Sequence, residues 1–360
     1  MRDTVQYRPR VTLVAASLDI LGGQGIQAEA LARNLRADGY GVQFLPINPT
    51  FPLGFGWIRK VPYLRTVFNQ LLYLPSLSKL RNTDIVHVFS ASFWSFLLAP
   101  LPAMLAARAF GKHLVLHYHS GEAGDHLAKW GLLVHPWLRL AHKLIVPSVY
   151  LKDTFASFNY ESCVVPNVVE LEQFSYRLRT HLQPKFLSVR NLEVHYGVDN
   201  LIRAFAEIKA ARSDASLTIV GSGSQEGELR NLVRDLGLKD VRFAGRVEPP
   251  FMGNIYDQSD VFLNASTVDN QPVSVLEAFA AGLPVITTGT GDIENMVCHG
   301  FAGVIVPCND PTAMANAALE LLDDPAKSES LAQHARSEVE RYTWQKVAPE
   351  WASVYREVVA

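Results

Sequence analysis

The chain has 360 residues, 48% of them hydrophobic and 19% charged, with a formal net charge of −2. That balance excludes a disordered chain and a small disulfide-stapled domain, and the length suits two domains of ordinary size with a cleft between them. The three cysteines, Cys163, Cys298 and Cys308, form no CxxC pair, so they read as buried thiols of a reducing, cytoplasmic compartment.

In chain order, the run Val11 to Ala16 is too short for a signal-peptide core or a membrane span and is predicted as the first strand. A loop Gly22-Gly23-Gln24-Gly25-Ile26-Gln27-Ala28, a helix over 27–38 and a strand over Val42 to Ile47 follow. The glycines match GxGxxA formally. Five residues, Ser17 to Leu21, separate them from the strand, and no acidic residue ends the next strand, so the spacing argues against a nicotinamide dinucleotide site. Backbone N–H groups at such a loop still suit an anionic group or a bound sugar; the plain alternative is a glycine hinge.

Between Asp38 and Asp84 there is no acidic residue, while Arg59, Lys60, Arg65, Lys79 and Arg81 fall among Phe51, Phe55, Trp57, Tyr63, Phe68 and Tyr73. The segment Phe51 to Arg81 reads either as a patch for a membrane surface or an anionic acceptor, or as a solvated helix pair whose aromatics are core. Residues 1–165 carry 16 Lys and Arg against 9 Asp and Glu, and the remainder 17 against 26, so the halves face different partners.

Strands are predicted at Ile85 to Phe89, His113 to Tyr118 and Lys143 to Ser148, with a helix near 96–108 between the first two. His117-Tyr118-His119-Ser120-Gly121 closes the second of them. Two histidines at i, i+2 point the same way without a third ligand nearby, so no metal site is expected. A second strand–helix series begins after a linker at 164–184, with strands at Lys185 to Val189, Ser216 to Gly221, Val241 to Gly245, Val261 to Asn264, 284–287 and 303–306. The chain thus reads as two doubly wound Rossmann-like α/β halves.

The segment Asp269-Asn-Gln-Pro-Val-Ser-Val-Leu-Glu277 places two carboxylates eight residues apart across a helix entry. Each accepts two hydroxyl hydrogen bonds, so Glu277 suits a ribose diol and Asp269 a hexose, with first-turn N–H groups facing phosphates between them. The plain alternative is that Glu277 caps or pairs within its own helix.

These residues resemble the E-x7-E signature of family 4 retaining glycosyltransferases, with Asp269 in place of the first glutamate. The Gly22-Gly23 loop, Val165-Pro166-Asn167, Ser188-Val189-Arg190, Val220-Gly221-Ser222-Gly223, Gly245-Arg246-Val247 and Tyr342-Thr343-Trp344 are similar to the family's other landmarks and stand in its order. The resemblance implies the GT-B fold, with an acceptor-side domain over 1–165, a nucleotide-sugar domain over 166–340 and a C-terminal helix over 341–360 that packs back toward the first.

It also implies roles. Arg190 matches the arginine that clamps the donor diphosphate, and Tyr196 stands where a lysine is expected. Donor contacts fall to Gly22, Gly23, Arg190, Tyr196, Gly221, Arg246, Val247, Asp269, Asn270, Gln271, Pro272, Val273, Ser274 and Glu277, with the N–H groups over 270–274 along the sugar and phosphates. His119 resembles the histidine that contacts the transferred sugar, so the catalytic set is His119, Asp269 and Arg190. The implied reaction is metal-independent transfer with retention from a nucleotide-sugar, a substrate rather than a cofactor, to a glycan or lipid-linked acceptor. No cofactor and no nucleic-acid partner are expected, and the implied place is the cytoplasm at the inner membrane face, in cell-surface polysaccharide or glycolipid synthesis. A weakened nucleotide-sugar-binding homologue and a nucleotide-sugar epimerase stand as alternatives.

Overall fold

The computed structural model describes residues 8–17 and 23–360. The chain divides into two compact units, Met1–Val165 with Ala348–Ala360, and Pro166–Val347.

The first unit holds a parallel sheet of β1 (Val11–Ala15), β2 (Val42–Pro46), β3 (Ile85–Ser90), β4 (His113–Tyr118), β5 (Lys143–Val146) and β6 (Cys163–Val164), in the order β2-β1-β3-β4-β5-β6. Every residue of β1 and β3 is buried, the continuous pattern expected of parallel strands covered on both faces. The first helix, Gly23–Ala37, begins four residues earlier than expected, so Gly23 and Gly25 lie in its first turn rather than in a loop. A first turn has no preceding turn to pack against, and Ala28, Leu31, Ala32 and Leu35 downstream bury the face that holds the helix. The helix expected near 96–108 is two, Trp94–Leu98 and Pro100–Ala109, because Pro100 cannot continue the first.

Helix Pro62–Ser76 sends Tyr73 into the core but leaves Tyr63, Leu64, Val67, Leu71 and Leu74 exposed, along with Phe55 and Trp57 before it. Of the two readings of this segment, aromatics as core holds only for Tyr73. The last helix, Trp344–Val359, runs out of the second unit, and its Trp351, Val354, Tyr355 and Val358 are buried in the first.

The second unit holds β7 (Lys185–Val189), β8 (Ser216–Val220), β9 (Val241–Gly245), β10 (Val261–Asn264), β11 (Val285–Thr288) and β12 (Val304–Val306), all parallel, in the order β12-β11-β10-β7-β8-β9. Consecutive side chains of β7 enter separate cores, Phe186 with the helix Val198–Ala211 and Leu187 with the helix Val273–Ala281. The order reverses between β7 and β10, and open α/β sheets bind ligands beyond the carboxyl ends of strands at such a reversal.

The linker is fastened to this unit by Arg179, whose side chain is 1% exposed. It donates to the carbonyls of Tyr256, Ser259, Ala281 and Gly282 and to the Asp260 carboxylate. The cysteines depart from expectation: Cys163 is half-buried, and Cys298 and Cys308 are exposed because each sits in a turn beyond an element end. Among the described residues, no helix is long and apolar enough to cross a membrane.

Candidate functional site

The loops that follow β7 and β10 meet closely. Gly197, at φ +60°, opens the helix Val198–Ala211, and a Cβ there would stand 2.2 Å from the Ala265 carbonyl oxygen. The Thr267 N–H donates to the His195 carbonyl at 2.8 Å. Gly221, beyond β8 at φ +133°, is required for the same reason, since a Cβ would fall 1.8 Å from the Arg190 carbonyl oxygen.

Within this frame Arg190 is held on three sides. Its Nε donates to Asn264 Oδ1 at 2.9 Å, its Nη2 to Asp269 Oδ2, and its guanidinium lies 5.2 Å from the centre of the Tyr196 ring. Asn264 is itself fixed, accepting from Ser266 Oγ at 2.8 Å and donating to Thr287 Oγ1 at 2.9 Å. The two carboxylates expected to grip hydroxyls are therefore unequal, because Asp269 is already an ion-pair partner of Arg190.

Glu277 receives a hydrogen bond of 2.7 Å from the hydroxyl of Tyr256, a fully buried residue of the helix Pro249–Asp257. Burial pushes the Glu277 carboxyl up to about 7, and the Tyr256 hydroxyl and the nearby Arg190 charge draw it back. The contact with Tyr256 comes from another helix and is not the cap or pair within its own helix that stood as the plain alternative. The helix that carries Glu277 begins after Pro272 with no side-chain cap, so the first-turn N–H groups of Val273 and Ser274 lack intrahelical acceptors. The Ser274 hydroxyl is buried with no partner among the described residues.

The expected row of N–H groups over 270–274 is interrupted. The Asn270 N–H donates to Asp269 Oδ1 at 2.9 Å, and Pro272 has none. The Gln271 side chain and carbonyl are turned to Asn167, accepting from its N–H at 2.7 Å and its Nδ2 at 2.9 Å. Arg246 donates to Ser222 Oγ at 3.0 Å beyond β9, and Val247 packs against the core. The second unit thus gathers Arg190, Tyr196, Gly221, Asp269, the first turn at Val273 and Ser274, and Glu277 about one strand reversal. Sequence reasoning missed Tyr256 and Asn264, and it held Asn167 only as a linker landmark, without its contact to Gln271. A polar residue ending the otherwise apolar strand β10 was the one local signal among them.

In the first unit, Gly22 lies outside the described residues and Gly23 opens its helix exposed. His119 is half-buried, its N–H donating to the Ser90 carbonyl at 3.1 Å and its ring stacked 5.2 Å from Phe89. Burial pushes His119 and His87 down to about 3, and His117 well below its ordinary value. All three are neutral near pH 7. Among the described residues, no three His, Cys, Asp or Glu side chains are grouped to hold a metal ion.

The family model described as Glycosyl transferases group 1 matches residues 172–338, and that described as Glycosyltransferase Family 4 matches residues 21–173. A glycogen synthase of Mycobacterium tuberculosis is 28% identical over 288 residues, covering 76% of this chain and 68% of its own. A phosphatidyl-myo-inositol mannosyltransferase of Mycobacterium leprae is 26% identical, covering 95% of each. The structure of a sucrose-phosphate synthase from Thermosynechococcus elongatus superposes with a TM-score of 0.79 at 20% identity, over 98% of this chain and 99% of that one. It has the same fold, two Rossmann-like domains of the GT-B type.

Proposed function

The chain belongs to the group 1 glycosyltransferases, and from that premise we propose that it transfers a hexose with retention, without a metal ion, and that the second unit holds the donor. Transfer of a sugar from a nucleotide-sugar is the activity of the family. The observation that carries the finer reading is the gathering of Arg190, Asp269 and Glu277 with an uncapped helix start at the reversal between β7 and β10.

In this reading Glu277 accepts the ribose hydroxyls, and Arg190 with the first-turn N–H groups of Val273 and Ser274 stabilises charge on the departing diphosphate. Asp269, held by Arg190 through Oδ2 and by the Asn270 N–H through Oδ1, accepts a sugar hydroxyl through a remaining lone pair. His119, neutral, orients the sugar by a hydrogen bond. The acceptor hydroxyl attacks on the face from which the diphosphate leaves, and the leaving phosphate takes its proton. EDTA-insensitive turnover is expected; strict dependence on Mg²⁺ would overturn the metal-free mechanism.

The acceptor in this reading is a glycan or a lipid-linked glycan at the inner membrane face. Its support is the exposed apolar row of Tyr63, Leu64, Val67, Leu71 and Leu74 beside Arg59, Arg65, Lys79 and Arg81, in a stretch without acidic residues. Flotation with vesicles containing anionic lipid should carry the protein upward, and its absence from the floated fraction would remove the membrane role.

A thermal-shift screen against UDP, GDP, ADP and dTDP sugars tests the donor site, since a ligand that binds only the folded state raises its stability. One nucleotide should raise the melting temperature of the wild type and not that of Glu277→Ala. No shift with any of them would favour a homologue with weakened donor binding, which Tyr196 at the lysine position also suggests.

A further inference from the structure

The first unit contains a buried chain of polar groups that no step above uses. Tyr355, on the C-terminal helix, is fully buried with its hydroxyl 2.9 Å from His87 Nδ1, and His87 Nε2 lies 3.3 Å from His117 Nδ1. The His117 ring centre is 4.0 Å from that of His119, and Trp351 packs 5.0 Å from His87 and 5.1 Å from His117.

Hydrogen-bond accounting sets the direction of this chain. Among the described residues His87 is the one polar partner of the Tyr355 hydroxyl, so the buried O–H is satisfied only if it donates to His87 Nδ1. A neutral His87 then carries its hydrogen on Nε2 and donates to His117 Nδ1, which leaves the hydrogen of His117 on Nε2. That atom is buried without a partner among the described residues. The opposite direction would strand two groups, the Tyr355 O–H and the His117 Nε2 lone pair, where this one strands a single N–H.

We propose that Tyr355 is a positioning residue: through His87 it holds His117 as the Nε2–H tautomer, and the fixed His117 ring sets the ring of His119. This rests on the reading that His119 orients the transferred sugar. The C-terminal helix is then a working part of the site as well as a closing element of the fold, because its phenol determines which edge of each imidazole is a donor.

The test is ¹⁵N NMR of histidine-labelled protein, wild type and Tyr355→Phe. In the wild type His87 and His117 should both be Nε2–H tautomers. In Tyr355→Phe both should become mixtures and the His119 resonances should move, while those of His299 and His334 in the second unit stay. Trp351→Phe, which alters packing on the same rings but keeps the phenol, should preserve both tautomers. Turnover of Tyr355→Phe should fall at least about tenfold with the donor KM unchanged, as displacement of an orienting group predicts. A wild-type His117 carrying its hydrogen on Nδ1, or unmoved His119 resonances in Tyr355→Phe, would overturn the relay. Tautomer changes with full turnover would overturn the positioning role. Absence of nucleotide-sugar binding by the wild type is a separate result, which would remove the sugar from His119 whatever the tautomers show.

Discussion

The guanidinium of Arg190 donates to the carboxylate of Asp269, 79 residues further along the chain, and one-tenth of each side chain is exposed. The pair orients Arg190 and neutralises part of its charge, so in the proposed reading an arriving diphosphate must compete with Asp269 for it. Replacing Asp269 by Asn keeps the size and removes the competitor. The nucleoside diphosphate selected in the screen should bind about three- to tenfold tighter, a gain of about 1 kcal/mol, while turnover falls. Calorimetry showing unchanged or weaker binding would mean that the pair does not compete.

Glu277 should impose a pH dependence with two faces. Its carboxyl stands at about 7 in the fold against an ordinary value of 4.5, so between these limits the folded chain holds a proton that the unfolded chain has lost. Its contribution to stability is therefore full below about 4.5, declines as pH rises to about 7 and is flat above. Nucleotide affinity should run the other way, rising through pH 7 as the ionised carboxylate gains acceptor capacity for the ribose diol. Urea denaturation and nucleotide titrations across pH 4–8 should both flatten in Glu277→Gln.

Tyr196 lies beneath the Arg190 guanidinium and packs at the edge of the core. Lysine there would add a full charge where, in the proposed reading, the leaving diphosphate develops its own. Tyr196→Lys should raise kcat and steepen its salt dependence, at a stability loss of about 1 kcal/mol from the lost ring contact. An unchanged kcat would indicate that Arg190 suffices.

Gln271 and Asn167 are both buried and join the linker to the loop that carries Asp269. Gln271→Ala leaves the Asn167 N–H without its acceptor, a loss of about 1–3 kcal/mol. Hydrogen exchange should quicken at 166–169 and 268–273 together. Faster exchange in only one of the two segments would show that they are not coupled through this contact.

Arg179 and Asp260 form a pair with side chains 1% and 5% exposed. Arg179→Gln leaves Asp260, among the described residues, with only the partly exposed Arg177 as an ion partner and takes from the Ser259 and Gly282 carbonyls the hydrogen bond they accept. A stability loss of about 3–5 kcal/mol is expected, read from the denaturant midpoint.

Much of the architecture was legible in the chain because it is local. The runs Lys185 to Val189, Val241 to Gly245 and Val261 to Asn264 are the strands observed, and the helix Val273–Ala281 starts after a proline and ends before Gly282, whose φ of +74° closes it. The carboxylates Asp269 and Glu277 stood out for a similar reason, since eight residues across a helix entry is a local relation. Helix starts were less legible, as Gly23 shows, because the residues of a first turn carry little side-chain pattern.

By itself, then, the sequence determined two doubly wound units, the segment that carries Asp269 and Glu277, and the family resemblance. Tertiary structure alone decided that Asp269 is bound to Arg190, that Tyr256 holds Glu277, and that Tyr355 reaches His87 across 268 residues. Backbone periodicity and capping act over a few residues and leave a mark in the chain. A hydrogen bond between distant segments is chosen by sheet order and by burial, which leave a polar group one partner within reach and no sign of that partner in its neighbours.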